Sequence, residues 1–346
     1  MYNLSIMLGL SRAFVSAAVL AALGLMGAPS PARPPQEEPD IELSAQGHVF
    51  PSVGPGVKVL KRDAAGRYYV LAAPATSVSI YAADGKPLGR VPATLAKDSA
   101  IVFAEDMDVD SAGRVYVADR GGNAIKIFDA DGQLALSVPI VAPTSVVALP
   151  GGETAAAGLK SRRLVEVFDA HGKVERDIGD LSDVAEHEQL NRVLNLGHLA
   201  TDAAGHIYCA FSFFPEPTIR KYDHYGYAAF EVTLTSLEFQ PAAQATRREI
   251  WSQDQRSGEV SLKPVINAIA VEPQTQEIWV ALGDRLLQFD RDGNRRASYR
   301  TFTPDGVRIE PTSILIEPTR LLLASDALGI FEFVLPSKPG KAVKAP

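Results

Sequence analysis

The sequence predicts an all-β fold, a six-bladed β-propeller of four-stranded antiparallel blades, and three observations carry the expectation. Residues 107–132 make a unit of strand, Asp/Gly turn, strand, polar loop, strand and second Asp/Gly turn. Six copies of that unit between Val57 and Leu335 repeat every ~46 residues, within the ~40–50 of propeller blades. No amphipathic helical pattern recurs with them, which sets aside the helical solenoids.

The turns fix the alignment. The second turn of the unit ends in Gly85, Gly132, Gly172, Gly226 and Gly293, each time after a strand closing on an aromatic: Tyr81, Phe128, Phe168, Tyr222 and Phe289. The first turn ends in Gly66, Gly113, Gly152 and Gly205. Asp in such turns bonds its own backbone and Gly supplies the positive φ, so these are turns with a mechanism. Matching strands follow at 68–71, 115–118, 207–210 and 278–281, the last behind Pro273-Gln274-Thr275-Gln276 in place of the usual turn. The sixth copy is reduced to segments 313–316, 321–324 and 330–333. It lacks a fourth strand, and residues 41–50 are expected to supply it and close the ring.

In the second copy, DSAGRVYVAD (110–119) followed by IFDADG (127–132) resembles the NHL repeat. The resemblance implies a propeller used as a protein-, RNA- or ligand-binding platform and, in some relatives, as a lyase. The chain departs from that pattern at Asn123-Ala124-Ile125, which lacks the family's basic residue.

Arg12 precedes an apolar run at 13–28, with small residues at Gly27, Ala28 and Ala32. Sixteen residues fall short of the ~20 needed to span a bilayer, so the run reads as a signal peptide (1–28), with an uncleaved anchor as the alternative. A Pro-rich linker (29–40), the propeller (41–335) and a Pro/Lys tail (336–346) follow. A periplasmic or secreted monomer is expected. Cys209 is the sole cysteine, so no internal disulfide forms, and its place inside a strand reads as a buried inert thiol. The net charge of −7 and the absence of a basic patch argue against nucleic acid as a partner.

Strand connections alternate between the two ends of a blade, which puts both Asp/Gly turns on one face. The polar loops and blade crossings fall on the other, and two insertions enlarge it, 179–197 and 235–265. The first has partly helical spacing (Leu181, Val184, Leu190, Leu194) and is expected to cap the channel. Loops of varied length on a rigid scaffold carry binding, so the candidate contact residues for a protein or small-molecule ligand are Arg120, Arg162, Phe213, Phe214, Trp251 and Arg256. The bland reading of Trp251 is that it pins its loop to the propeller, and that of Phe213-Phe214 that they pack on the neighbouring insertion.

The residues entering the innermost strands are Glu105, Asp106, Thr144, His198, Asn267 and Thr312. Of these, Glu105, Asp106, His198 and Asn267 are a candidate set for a divalent cation, Ca²⁺ by their oxygens or Zn²⁺ by the histidine. Their spacing is no local motif, and strand-entry Asp and Asn also end strands without any ligand. A metal-dependent hydrolase or lyase of the gluconolactonase or strictosidine-synthase type is therefore the alternative, and a binding scaffold without a cofactor the favoured reading. No Gly-x-Ser-x-Gly, Cys-x-x-Cys, His-Glu-x-x-His or phosphate loop is present.

The processing reading is testable directly. N-terminal sequencing of the exported protein is expected to start between Pro29 and Pro35, and recovery of Met1 on a membrane-bound form would refute it.

Overall fold

The computed structural model describes residues 40–94, 96–256 and 260–336. The signal segment, nearly all of the linker and the tail lie outside them. Two short strands come first, β1 (Ile41–Ser44) and β2 (Gly47–Val49). Blade 1 is β3 (Val57–Arg62), β4 (Tyr68–Ala72), β5 (Val78–Tyr81) and β6 (Pro87–Val91). Blade 2 is β7 (Ala104–Val109), β8 (Val115–Asp119), β9 (Ala124–Phe128) and β10 (Leu134–Pro139). Blade 3 is β11 (Pro143–Ala148), β12 (Thr154–Gly158), β13 (Val165–Phe168) and β14 (Val174–Ile178). Helix α1 (Glu188–Leu194) leads into blade 4, formed by β15 (Gly197–Thr201), β16 (Ile207–Phe211), β17 (Thr218–Tyr222) and β18 (Ala228–Thr233). After α2 (Gln240–Asp254), blade 5 is β19 (Ala268–Val271), β20 (Ile278–Leu282), β21 (Arg285–Phe289) and β22 (Arg295–Phe302). Blade 6 holds β23 (Ser313–Ile316), β24 (Arg320–Ser325) and β25 (Gly329–Val334).

Each blade is an antiparallel meander, and the first strand of each touches the first strand of the next all the way round to β3. The fold is thus a six-bladed propeller with its first strands innermost. Side chains alternate between the two faces of a strand, so each blade packs on both neighbours. In β4, Tyr69 and Leu71 face blade 2, whereas Tyr68 and Val70 face blade 6. Six apolar clusters result among the described residues, one at each blade interface.

The turns form as their chemistry dictates. Gly66, Gly85, Gly113, Gly132, Gly172, Gly205, Gly226 and Gly293 all have φ between 76° and 94°, the left-handed region that glycine enters without strain. Asp110 Oδ1 accepts the N–H groups of Ala112 and Arg114 at 2.9 Å. Asp129, Asp169, Asp202, Asp223 and Asp290 repeat the arrangement. The first turns add a second layer: Asp63 holds Arg67 and Tyr69, Asp110 holds Arg114 and Tyr116, and Asp202 holds His206 and Tyr208. His206 is accounted for by that bond alone.

The N-terminal segment is shared between two blades. β2 pairs antiparallel with β25 as the outer strand of blade 6. β1 instead lies parallel to β22 as a fifth strand of blade 5, with Ile41 opposite Tyr299 and Ser44 opposite Phe302. Asp40 fixes the entry of this segment, accepting from Ser298 Oγ at 2.5 Å and Arg300 Nε at 2.9 Å beside Arg285. Burial raises its carboxyl, but these partners outweigh burial and hold it below the usual range. Phe50 then packs on Tyr68 and Tyr81 of blade 1. One eleven-residue stretch (40–50) therefore touches three blades.

Two insertions differ from expectation. α1 does form, but Leu190 and Leu194 are buried in the interface of blades 3 and 4, so it packs there and does not cap the channel. Within the second insertion, read from sequence as a polar segment, residues 240–254 form the 15-residue helix α2, which buries Ala243 and Ile250, with Phe239 buried just ahead of it. Pro241 in the first turn and the Ala-rich start favour a helix, and the apolar spacing 239, 243, 250 was its signal.

Deleting residues 40–50 removes a strand from each of two blades and the buried Phe50. Thermal or urea unfolding is expected to show a loss larger than the ~3 kcal/mol of one buried Phe truncation. An unchanged transition would show that the segment is dispensable.

Candidate functional site

A cavity of about 420 Å³ opens where the innermost strands begin, lined by Lys58, Lys61, Glu105, Asp106, His198, Asn267, Thr312, Ser313, Asp326 and apolar neighbours. All four residues of the candidate cation set lie on its wall. Thr144 does not.

Irregular pairing aims the charged ones. In blades 1, 2 and 3 the register of the innermost pair shifts by one residue at its start, between Val57 and Val59, Ala104 and Asp106, and Pro143 and Ser145. The unpaired residues are Lys58, Glu105 and Thr144. A bulge of this kind bends the strand and re-aims a side chain. Blade 4 keeps regular pairing from Gly197 to Thr201. Nothing in the sequence marks these bulges.

The charges form a connected set. Glu105 takes Lys58 Nζ at 2.9 Å and Arg120 Nη1 at 2.6 Å. Burial raises its carboxyl, and these two cations more than offset it, leaving it below the usual range. Lys61 pairs with Asp108 at 3.0 Å. Burial would lower Lys61, but Asp108 and Asp106 hold it above the ordinary lysine range. Asp106 Oδ2 accepts from Ser145 Oγ and from Val146 N–H, and its Oδ1 from Met107 N–H. Burial still pushes the Asp106 carboxyl up, against the pull of Lys61 and the Ser145 hydroxyl. His198 is pushed below its usual range by burial, which keeps the imidazole neutral near pH 7. Among the described residues its ring makes no hydrogen bond.

This donor set is occupied by protein partners. Glu105 is shared between two cations, and Asp106 serves a hydroxyl and two backbone N–H groups. Among the described residues no group of three or more His, Cys, Asp or Glu is arranged to hold a metal. Asn267 is different: its Oδ1 is buried without a donor. An orphaned acceptor of this kind costs about 1–3 kcal/mol and calls for an explanation.

Asp119 builds the rim. Its carboxylate is fully buried, accepts the N–H groups of Val102, Phe103 and Gly122, and pairs with Lys126 at 3.0 Å. That ties the crossing from blade 1 to the top of blade 2 and leaves Val102 and Phe103 exposed, with Lys58 Nζ 4.3 Å from the Phe103 ring centre.

The loop-face contact candidates separate. Arg120 turns to the channel wall through Glu105, while Arg162 and Arg256 are exposed. Phe214 is buried and stacked on Phe211 at 4.1 Å, and Phe213 packs on the same cluster beside Val260 and Leu262, so this pair belongs to the core and not to an open contact surface. Trp251 is 70% exposed and pins nothing, because α2 buries the side that carries Ile250. A second cavity of about 440 Å³ lies between α2 and blades 4 and 5, lined by apolar residues such as Phe239, Ala242 and Leu282 and by the charged Glu238, Glu249, Lys263, Asp284, Arg285 and Arg300, and Pro264 lines both cavities.

No protein-family model matches the chain, and no curated protein matches it in sequence. Solved structures match in fold. The selenomethionine form of virginiamycin B lyase from Staphylococcus aureus is 12% identical with a TM-score of 0.52, over 81% of this chain and 95% of that one. A streptogramin B lyase is 13% identical with a TM-score of 0.53, over 83% and 85%. The β-propeller domain of Cps50 (Swd1) from Myceliophteria thermophila is 10% identical with a TM-score of 0.51, over 84% and 99%. At such identities the likeness shows the fold alone.

Replacing Asn267 by Leu removes the orphaned acceptor at similar volume. The variant is expected to be about 1 kcal/mol more stable than the parent in urea unfolding. A destabilised variant would mean that the amide is satisfied within the fold.

Proposed function

We propose that the chain is an exported, NHL-like propeller that binds a small ligand at the mouth of its channel, on the face opposite the Asp/Gly turns. The observation that carries this reading is the pair of strand bulges in blades 1 and 2 that turns Lys58 and Glu105 inward around a cavity holding an unsatisfied Asn267 acceptor. Binding is favoured over metal-dependent hydrolysis or lysis because the carboxylates are already engaged by cations, a hydroxyl and backbone N–H groups. A cavity of this volume falls within the roughly 300–1,000 Å³ of small-molecule sites. The exposed Trp251 supports a second contact on the same face, with a protein partner.

Native mass spectrometry after incubation with a small-molecule extract of the source cells separates the two. Retention of a small molecule by the parent and by Trp251→Ala, and its loss in Lys58→Met and Asn267→Leu, is the expected result. Trp251→Ala is also expected to change stability by less than about 0.5 kcal/mol, as an exposed side chain does. A protein partner lost only in Trp251→Ala, with no small molecule held by the parent, would move the function from the channel to α2.

A further inference from the structure

The two sides of the channel mouth carry opposite unmatched charge. On the side of blades 1 and 2, Lys58 and Arg120 share the single carboxylate of Glu105, at 2.9 and 2.6 Å, which leaves one positive charge in excess. Deeper on that side Lys61 is matched by Asp108. Asp106 is taken up by Ser145 Oγ and the N–H groups of Val146 and Met107, and burial pushes its carboxyl up, toward the neutral form. On the side of blades 5 and 6 the uncommitted groups are acceptors. Asp326 follows β24, and its backbone carbonyl accepts the N–H of Gly56 at 2.6 Å, whereas its carboxylate has no hydrogen bond or ion pair among the described residues. Asn267 Oδ1 has no donor. Thr312 Oγ1 gives its proton to Val57 O at 2.7 Å and keeps its lone pairs. All three residues line the same cavity as Lys58 and Glu105. A carboxylate, an amide oxygen and a hydroxyl oxygen are three acceptors for the three protons of an ammonium group. They fall short of the roughly six to eight oxygens that a Ca²⁺ ion takes.

We infer that the channel mouth takes a zwitterion of the amino-acid or short-peptide class, with its ammonium group on Asp326, Asn267 and Thr312 and its carboxylate on Lys58. This rests on the channel-mouth reading above and adds the ligand's chemistry to it. An ion that enters a cavity loses hydration and needs a counter-charge there. A cation alone would leave the Lys58 side unmatched, and an anion alone would leave Asp326. A zwitterion matches both, and its carbon chain meets the apolar part of the lining, such as Leu199 and Ile314.

The probes are glycine, 5-aminopentanoate and 8-aminooctanoate, which vary the separation of the two ends, each compared with the alkylamine and the alkanoate of the same chain length. Binding to the purified protein is followed by ligand-observed NMR and calorimetry at low salt. At the best length the amino acid is expected to bind roughly tenfold or more tighter than either half, since each end adds a charge-assisted hydrogen bond. Asp326→Asn is expected to bring the amino acid down to the affinity of the alkanoate, and Lys58→Met to that of the alkylamine, with urea unfolding to confirm that both variants fold. Glu249→Gln, which removes a carboxylate from the second cavity, is expected to leave binding unchanged. The inference is overturned if no amino acid of the series binds, if one half binds as tightly as the amino acid of its length, if either channel variant leaves the preference intact, or if Glu249→Gln abolishes it. A molecule retained from the cell extract that lacks an ammonium or an anionic group would overturn it while leaving the channel-mouth reading in place. Retention of no molecule and binding of no probe would remove both.

Discussion

The six innermost strands each have an edge with no further strand to pair with, and the backbone groups on that edge must be satisfied by something other than a ladder. For blades 1, 3 and 4 the preceding blade does it with side chains. Ser313 of blade 6 receives the N–H of Leu60 at 3.0 Å, Asp106 of blade 2 receives that of Val146 at 3.1 Å, and Ser145 of blade 3 receives that of Leu199 at 3.0 Å. Asp108 does the same for Ala148 at 2.9 Å. The blades are stitched together around the channel as well as packed along their faces.

That stitching sorts the channel residues by role. Ser145, Asp106 and Ser313 occupy equivalent positions on the innermost strands of blades 3, 2 and 6, and each serves a backbone N–H. His198 is the next residue in the same series, on blade 4, but its ring makes no bond among the described residues and faces the cavity. One step nearer the mouth come Lys58, Glu105 and Asn267, where the bulges of blades 1 and 2 and the strand entry of blade 5 free the side chains from the sheet. The polar groups deeper in the channel serve the backbone of the next blade, whereas at the mouth Glu105 is held by Lys58 and Arg120 and Asn267 Oδ1 has no donor.

The wall is also asymmetric in charge. Blades 1 and 2 contribute all the charged residues of the wall except Asp326, and blades 4 to 6 contribute neutral and apolar ones such as Leu199, Ala268 and Ile314. The parallel strand β1, anchored by Asp40, braces blade 5 on its outer edge, the same blade whose inner end carries Asn267.

The sequence by itself determined the blade number, the strand order and the turn face. Those rest on local chemistry repeated many times, Asp and Gly in turns and alternating apolar residues in strands, and each copy can be read without knowing the others. It also placed Glu105, Asp106, His198 and Asn267 at the channel, because counting back from a turn gives the height of a residue on its strand. Tertiary structure alone decided what those residues do. Whether Glu105 is free or held depends on Lys58 from another blade and Arg120 from a loop, and the bulges that aim them arise from pairing register and not from composition. Phe214 and Trp251 show the same division. Both are aromatic residues in long loop-face segments, yet one is buried against Phe211 and the other left in solvent, because burial depends on which side of a segment meets the rest of the chain.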